Sequence, residues 1–86
     1  MKIQIEERAY SGSAAEILDQ LRSEAFDPDA FPDTEHYLRY VRDNVVRSTG
    51  HDFDLPDGST EVRAQALIHH LSSLGGLTIL EDADGR

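Results

Sequence analysis

The spacing of apolar positions changes period along this chain, and each change marks a different element. Ile3 and Ile5 alternate with Lys2, Gln4 and Glu6, the period of two expected of a strand with one buried face. Residues 2–6 therefore read as a first strand. Arg8-Ala9-Tyr10 reads as a short returning strand, although the Glu6-Glu7 turn lacks the glycine or asparagine that tight hairpins favour. From Ser13 the period lengthens. Ser13-Ala14-Ala15-Glu16 has the form of a capping box, in which the serine hydroxyl and the glutamate carboxylate satisfy free amides at a helix start. The helix it opens is predicted over residues 14–25, with Ala14, Ile17, Leu18, Leu21 and Ala25 on the inward stripe and Asp19, Gln20, Arg22 and Glu24 towards water.

Residues 26–32 contain two prolines, which interrupt backbone donation, and Phe26 and Phe31, which are expected to fold back onto the core. Asp33 can cap a second helix over residues 34–48, with Leu38, Val41 and Val45 inward and Gly50 as its left-handed end. A second turn-rich stretch, residues 51–58, leads to Ser59 or Thr60 as the cap of a third helix ending near Leu74. Its inward positions are Ala64, Leu67, Ile68, Leu71 and Leu74. Gly75-Gly76 stops that helix, and Leu77-Thr78-Ile79-Leu80 is apolar and β-branched enough for a closing strand. The order of strand or hairpin, three helices and strand, without internal repeat, predicts an α+β fold. Residues 1–81 form one domain in this reading, with the terminal strands in a small antiparallel sheet against the helices and residues 82–86 as a frayed acidic tail. Leu21, Val41, Leu67 and Leu71 are expected to join the three helices in one core.

Size and charge narrow the function classes. At 86 residues a domain buries about 60–65% of the surface its unfolded chain exposes. The sequence has no cysteine, which rules out disulfides, thiolate zinc sites and a cysteine nucleophile and fits a reducing cytoplasm. No secretory leader is recognisable, and no run approaches the roughly 18 apolar residues of a membrane span. A cytoplasmic location is expected. Seventeen Asp and Glu against eight Lys and Arg give a net charge of −9, which opposes direct binding to nucleic acid or anionic lipid and favours a basic partner. Net negative charge also serves solubility alone.

Candidate chemistry is sparse. His36, His51, His69 and His70 do not fall into a ligand spacing, and adjacent His69 and His70 point about 100° apart on a helix. One of that pair is expected at the core boundary and the other in solvent. Asp52-Phe53-Asp54-Leu55-Pro56-Asp57-Gly58 has the alternating carboxylates of a calcium loop but fails its register, with Pro56 at the fifth position and Arg63 where the bidentate glutamate belongs. The serines stand at helix caps and ends, none in a nucleophile-elbow context, and Gly75-Gly76 follows a helix instead of opening one, unlike a phosphate-cradling loop. No cofactor, metal or catalytic group is indicated, and the chain reads as a non-enzyme.

Two surfaces stand out for partner binding. The second helix carries Arg39, Arg42 and Arg47 with Tyr37 and Tyr40, residue types enriched at the energetic centres of interfaces. His36, Tyr40, Asp43 and Arg47 lie on one stripe away from Leu38, Val41 and Val45. An Arg39–Asp43 pair at i,i+4 would be the ordinary solvated alternative for this helix. The second surface is acidic: Asp27, Asp29, Asp33 and Glu35 in one run, and Asp52, Asp54, Asp57 and Glu61 in another. Both runs precede helices, so they read either as a phosphate-like array for arginine forks or as helix-start carboxylates favoured by the macrodipole.

With its small size, its lack of cysteine and acidic runs such as Asp27-Pro28-Asp29 and Asp52-Phe53-Asp54, the chain resembles the small acidic accessory proteins of phages and mobile elements, anti-CRISPR inhibitors among them. The resemblance is one of size and charge, without a motif, and the three arginines of the second helix depart from a purely acidic nucleic-acid mimic. It implies a protein-binding domain that modulates or inhibits a basic, nucleic-acid-handling protein and carries over no functional residue; the expected contact residues, His36, Tyr40, Arg47, Asp52, Asp54 and Asp57, come from the two surfaces above. A regulatory or toxin–antitoxin-like adaptor, and a minor enzyme or ligand binder using carboxylates, are the alternatives.

Overall fold

β1 (Lys2–Ile5) and β2 (Arg8–Ser11) form an antiparallel hairpin whose last pair, Ile5 with Arg8, encloses a two-residue turn. The turn closes without glycine because Glu6 itself takes the left-handed conformation, φ 55°, which L-residues enter at a cost of about 1–2 kcal/mol. The Gln4 side chain steadies it by donating to the Glu6 carbonyl at 3.0 Å. The computed structural model describes residues 1–25, 30–50 and 52–81.

β3 (Thr78–Glu81) pairs antiparallel with β1, giving the sheet order β2-β1-β3. The register slips by one residue between the Ile3–Ile79 and Lys2–Glu81 pairs. Leu80 lies at this slip, and it is one of the more exposed large apolar side chains.

Local signals set the helix boundaries. α1 (Ala14–Ser23) opens with the complete capping box: Ser13 Oγ accepts from the Glu16 amide at 3.1 Å, and Glu16 Oε1 accepts from the Ser13 amide at 2.9 Å. This holds the Glu16 carboxyl below its ordinary pKa, mainly through the bond from the Ser13 backbone. α2 (Thr34–Thr49) starts at Asp33, which accepts from the His36 amide, and stops at Gly50, φ 73°. α3 (Thr60–Ser73) is capped by Ser59. It ends in a Schellman motif, with Gly76 N–H on the Leu71 carbonyl at 2.9 Å and Gly75 N–H on that of Ser72 at 3.1 Å.

Ile3, Ile17, Leu18, Leu38, Leu67 and Ile68 are the largest fully buried side chains. The core thus joins β1 to all three helices, and Tyr10, Ala14, Ala64 and Leu77 complete it. Leu67 lies at its centre as predicted, whereas Leu21, Val41 and Leu71 are only partly buried and pack around it. Leu74 departs from the predicted inward stripe. It is the C-cap of α3 and 45% exposed, because the chain turns away there into the two glycines.

α1 runs 10 residues, shorter than the 14–25 predicted. Phe31 does not reach the core. It rests on Tyr37 and Tyr40, with ring centroids 5.1 and 4.7 Å away. Phe26 and residues 82–86 lie outside the described residues.

Candidate interaction surface

The α2 helix is amphipathic with a period that fixes what each flank meets. Leu38 faces the core; His36, Tyr40, Asp43 and Arg47 fall on the opposite, exposed side. His36 is tied down within the cap, its Nδ1 2.7 Å from Asp33 Oδ1. Hydrogen bonds from the His36 side chain and amide hold the Asp33 carboxyl below its ordinary pKa. Tyr40 is 49% exposed and stands 6.2 Å, centroid to centroid, from the half-buried Tyr37. With Phe31 the two tyrosines make a three-ring cluster at the surface. Burial, then the neighbouring Tyr40, raises the Tyr37 hydroxyl pKa. Arg47 projects from the last turn and, among the described residues, makes no ion pair.

The other flank of α2 faces residues 52–55 of the segment that leads to α3. α2 and α3 run in the same direction: Glu35 near the start of α2 accepts from Thr60 Oγ1 at 3.4 Å, and towards their ends Val45 and Thr49 share an apolar groove with Leu71 and Leu74. The segment between them must therefore double back. Two contacts fix its path. Arg42 donates from Nε to the Phe53 carbonyl at 2.6 Å and from Nη2 to Asp54 at 3.1 Å, and the Phe53 ring stacks on His70 at 4.0 Å, nearly parallel. His70 is at the core boundary and His69 in solvent, as expected of the pair.

Asp52, Asp54 and Asp57 are exposed along this ordered segment. Asp54 keeps 94% of its side-chain exposure despite the Arg42 pair. Asp27, Asp29 and His51 lie outside the described residues. The remaining acids of the two runs are not free surface charges. Glu35 Oε2 accepts from Arg39 Nε at 3.0 Å and lies 2.9 Å from Arg63 Nη1 in an ion pair. Arg39 thus pairs one turn back with Glu35 instead of forward with Asp43, which takes Arg42 at 3.0 Å. Glu61 crosses to α1 and accepts from the amides of Ala14 and Ala15 at 3.0 and 2.8 Å. Partial burial is the largest influence on Glu61 and acts upward, but the bonds from Ala15, Gln65 and Ala14 together carry its pKa below the ordinary value.

Between α2, the returning segment and α3 lies a cleft of about 380 Å³ lined by Arg39, Arg42, Asp43, Asp54, Leu55 and Arg63. Arg63 Nε is buried behind that lining and, among the described residues, has no hydrogen-bond partner.

No family model, curated protein or solved structure matches the chain. The site must therefore be read from its own geometry. Among the described residues, no three His, Asp or Glu side chains gather as metal ligands, and no helix is long and apolar enough to cross a membrane.

Phe31, Arg42, Glu61 and Arg63 are the structural participants that local pattern does not reveal. Phe31 had a partial signal, since Tyr37 and Tyr40 sit at i,i+3 just beyond it. Glu61 and Arg63 had none, because their partners are 46 and 28 residues away in sequence.

Proposed function

We propose that this chain is a non-catalytic binding domain that acts in the cytoplasm on a protein with a basic, nucleic-acid-handling surface and modulates or blocks it. The observation that carries the reading is the Phe31–Tyr37–Tyr40 cluster. Tyr40 is half exposed on a helix face that also presents His36 and Arg47, and the segment on the other flank of α2 carries the exposed Asp52, Asp54 and Asp57. Aromatic rings and arginine are the anchors that dominate interface energetics. The aspartates supply the attraction and orientation of a basic partner, an effect that reaches about 8 Å at physiological salt. The net charge of −9 disfavours nucleic acid itself as the ligand.

A photo-crosslinking side chain placed at position 40 tests this in cells of the native host, with position 62 on α3 as the exposed control. The expected result is one discrete protein adduct from position 40 and none from 62. The captured protein should release DNA or RNA when the wild-type domain is added. A variant with Asp52→Asn, Asp54→Asn and Asp57→Asn should compete poorly, because it keeps the turn-forming side chains but not their charge. Equal adducts at both positions, or a triple variant that competes like wild type, would sink the proposal.

A further inference from the structure

We propose that the cleft between α2, the 52–58 segment and α3 is a binding site for a compact oxyanion of phosphate-monoester or carboxylate type. It is distinct from the Tyr40 face. Three of the six lining residues are arginines, in a chain with eight Lys and Arg in all. They arrive from two helices: Arg39 and Arg42 stand one turn apart on α2, and Arg63 enters from α3. Guanidinium forks match the two oxygens of a carboxylate or phosphate, which makes this grouping an oxyanion receptor by chemistry.

Two features separate this cleft from a closed salt-bridge network. The first is a surplus of donors. Each guanidinium has five N–H groups, yet among the described residues Arg39 hydrogen-bonds only through Nε and Arg63 is ion-paired only through Nη1, both to Glu35. Arg63 Nε, buried behind the lining, has no acceptor among the described residues. Glu35 thereby holds two arginines in place at the lining of the cleft, and Arg39, its side chain 63% exposed, keeps both terminal nitrogens open to it. The second is that an internal carboxylate already sits on the third arginine. Asp54 Oδ1 lies 3.1 Å from Arg42 Nη2, on a side chain 94% exposed. An ion pair that open to water contributes little, so a more highly charged oxyanion can replace it.

The surroundings select against large ligands. Glu35, Asp43 and Asp54 balance the three arginines locally, while the chain as a whole is strongly negative, so a polyanion reaching beyond the cleft meets repulsion. A small ion is held at short range and escapes most of that field. The volume, about 380 Å³, is within the range of small-molecule sites.

The test is an NMR titration of the full chain with inorganic phosphate and, separately, with citrate. Sodium chloride keeps the ionic strength constant, and the arginine Nε–H signals report. Saturable shifts at Arg39, Arg42 and Arg63 are expected from at least one anion, and whichever anion saturates assigns the ligand class. Arg39→Gln should weaken binding about tenfold, the usual scale for one charge-assisted contact. Asp54→Asn should tighten it several-fold, because it removes the internal competitor. The same substitution should weaken the basic partner of the proposed function, so the two readings fail independently. Asp54 is exposed, which leaves the fold intact in that variant. Shifts no larger than those from sodium chloride, or an Asp54→Asn variant that binds no more tightly than wild type, would overturn the proposal.

Discussion

Replacing Glu61 by alanine should cost the domain about 2–3 kcal/mol, although the residue sits on the surface in the first turn of α3. The first-turn amides of a helix have no intrahelical acceptor. At α1, Ser13 satisfies the Glu16 amide, and the two amides the capping box leaves over, those of Ala14 and Ala15, both donate to the Glu61 carboxylate. A hydrogen bond to a charged group contributes about 1.5–3 kcal/mol when well buried. Glu61 is only partly buried, so each of these two amide bonds is set at or just below the lower end of that range, about 1–1.5 kcal/mol. For a domain of this size such a loss lowers Tm by roughly 8–24 °C.

The pH dependence supplies the signature. The folded pKa of Glu61 lies below its ordinary value of 4.5, so the unfolded chain binds the proton more readily. The stabilisation is therefore complete above pH 4.5 and fades as pH falls through the lower, folded value. Glu61→Gln retains one carbonyl acceptor without the charge, so it should be less stable than wild type at pH 7 and converge with it as acid protonates the native glutamate. Urea unfolding of wild type, Glu61→Gln and Glu61→Ala from pH 7 downward measures both effects. A loss below about 0.5 kcal/mol for Glu61→Ala at pH 7, the scale of an ordinary surface substitution, would refute the bridging role. So would a gap between wild type and Glu61→Gln that stays constant into acid.

The core hierarchy predicts that Leu67→Ala costs about 2–5 kcal/mol, while Leu21→Ala and Val41→Ala at the rim cost less, and thermal melts rank them. Glu6→Asn should stabilise the hairpin by roughly 0.5–1 kcal/mol, since asparagine tolerates the left-handed region better, and denaturant midpoints will detect it. Asp19 is held below its ordinary pKa of 3.8 by hydrogen bonds from Arg22 and Thr34, as Asp33 is by His36. Stability from these aspartates is thus present above pH 3.8 and lost below it, and Asp19→Asn should flatten the acid limb of a stability–pH curve.

The parts of this fold legible in sequence are those fixed by neighbours within one helical turn or one strand pair. Ser13 and Glu16, Asp33, Gly50, Ser59 and Gly75-Gly76 each act within five residues of their own position, so their pattern located all three helices. The inward positions Ile17, Leu18, Leu38, Leu67 and Ile68 followed from period alone. What failed to appear depends on distant partners or on the path of a loop. Leu74 fits the apolar stripe of α3 but lies where the chain leaves the helix. Arg39 has an acid at i−4 and another at i+4, and only the approach of Arg63 and Thr60 to Glu35 favours the first. Tyr40, Arg47 and the exposed Asp52, Asp54 and Asp57 could be placed on the surface from sequence, but the three-ring cluster required the placement of Phe31 before α2, and the arginine cleft required the return path of residues 52–58.

That return path also changes what the negative charge means. Glu16, Asp33 and Glu61 stabilise helix starts, Glu35 joins α2 to α3, Asp19 and Glu24 hold Arg22 and Arg8, and Asp43 pairs with Arg42. Much of the acidity is therefore bound into the architecture, where it offsets unpaired amides and arginines and offers a partner little. Asp52 and Asp57 are exposed and, among the described residues, without ion pairs, and the same holds for Arg47 at the opposite end of the charge scale. A partner that read the domain by net charge alone would bind it on any side. One that needs Tyr40 and Arg47 must meet the exposed face of α2, whereas Arg42, about 200° round the helix from Tyr40, holds the returning segment on the other flank, so a partner that also used its aspartates would have to reach around α2.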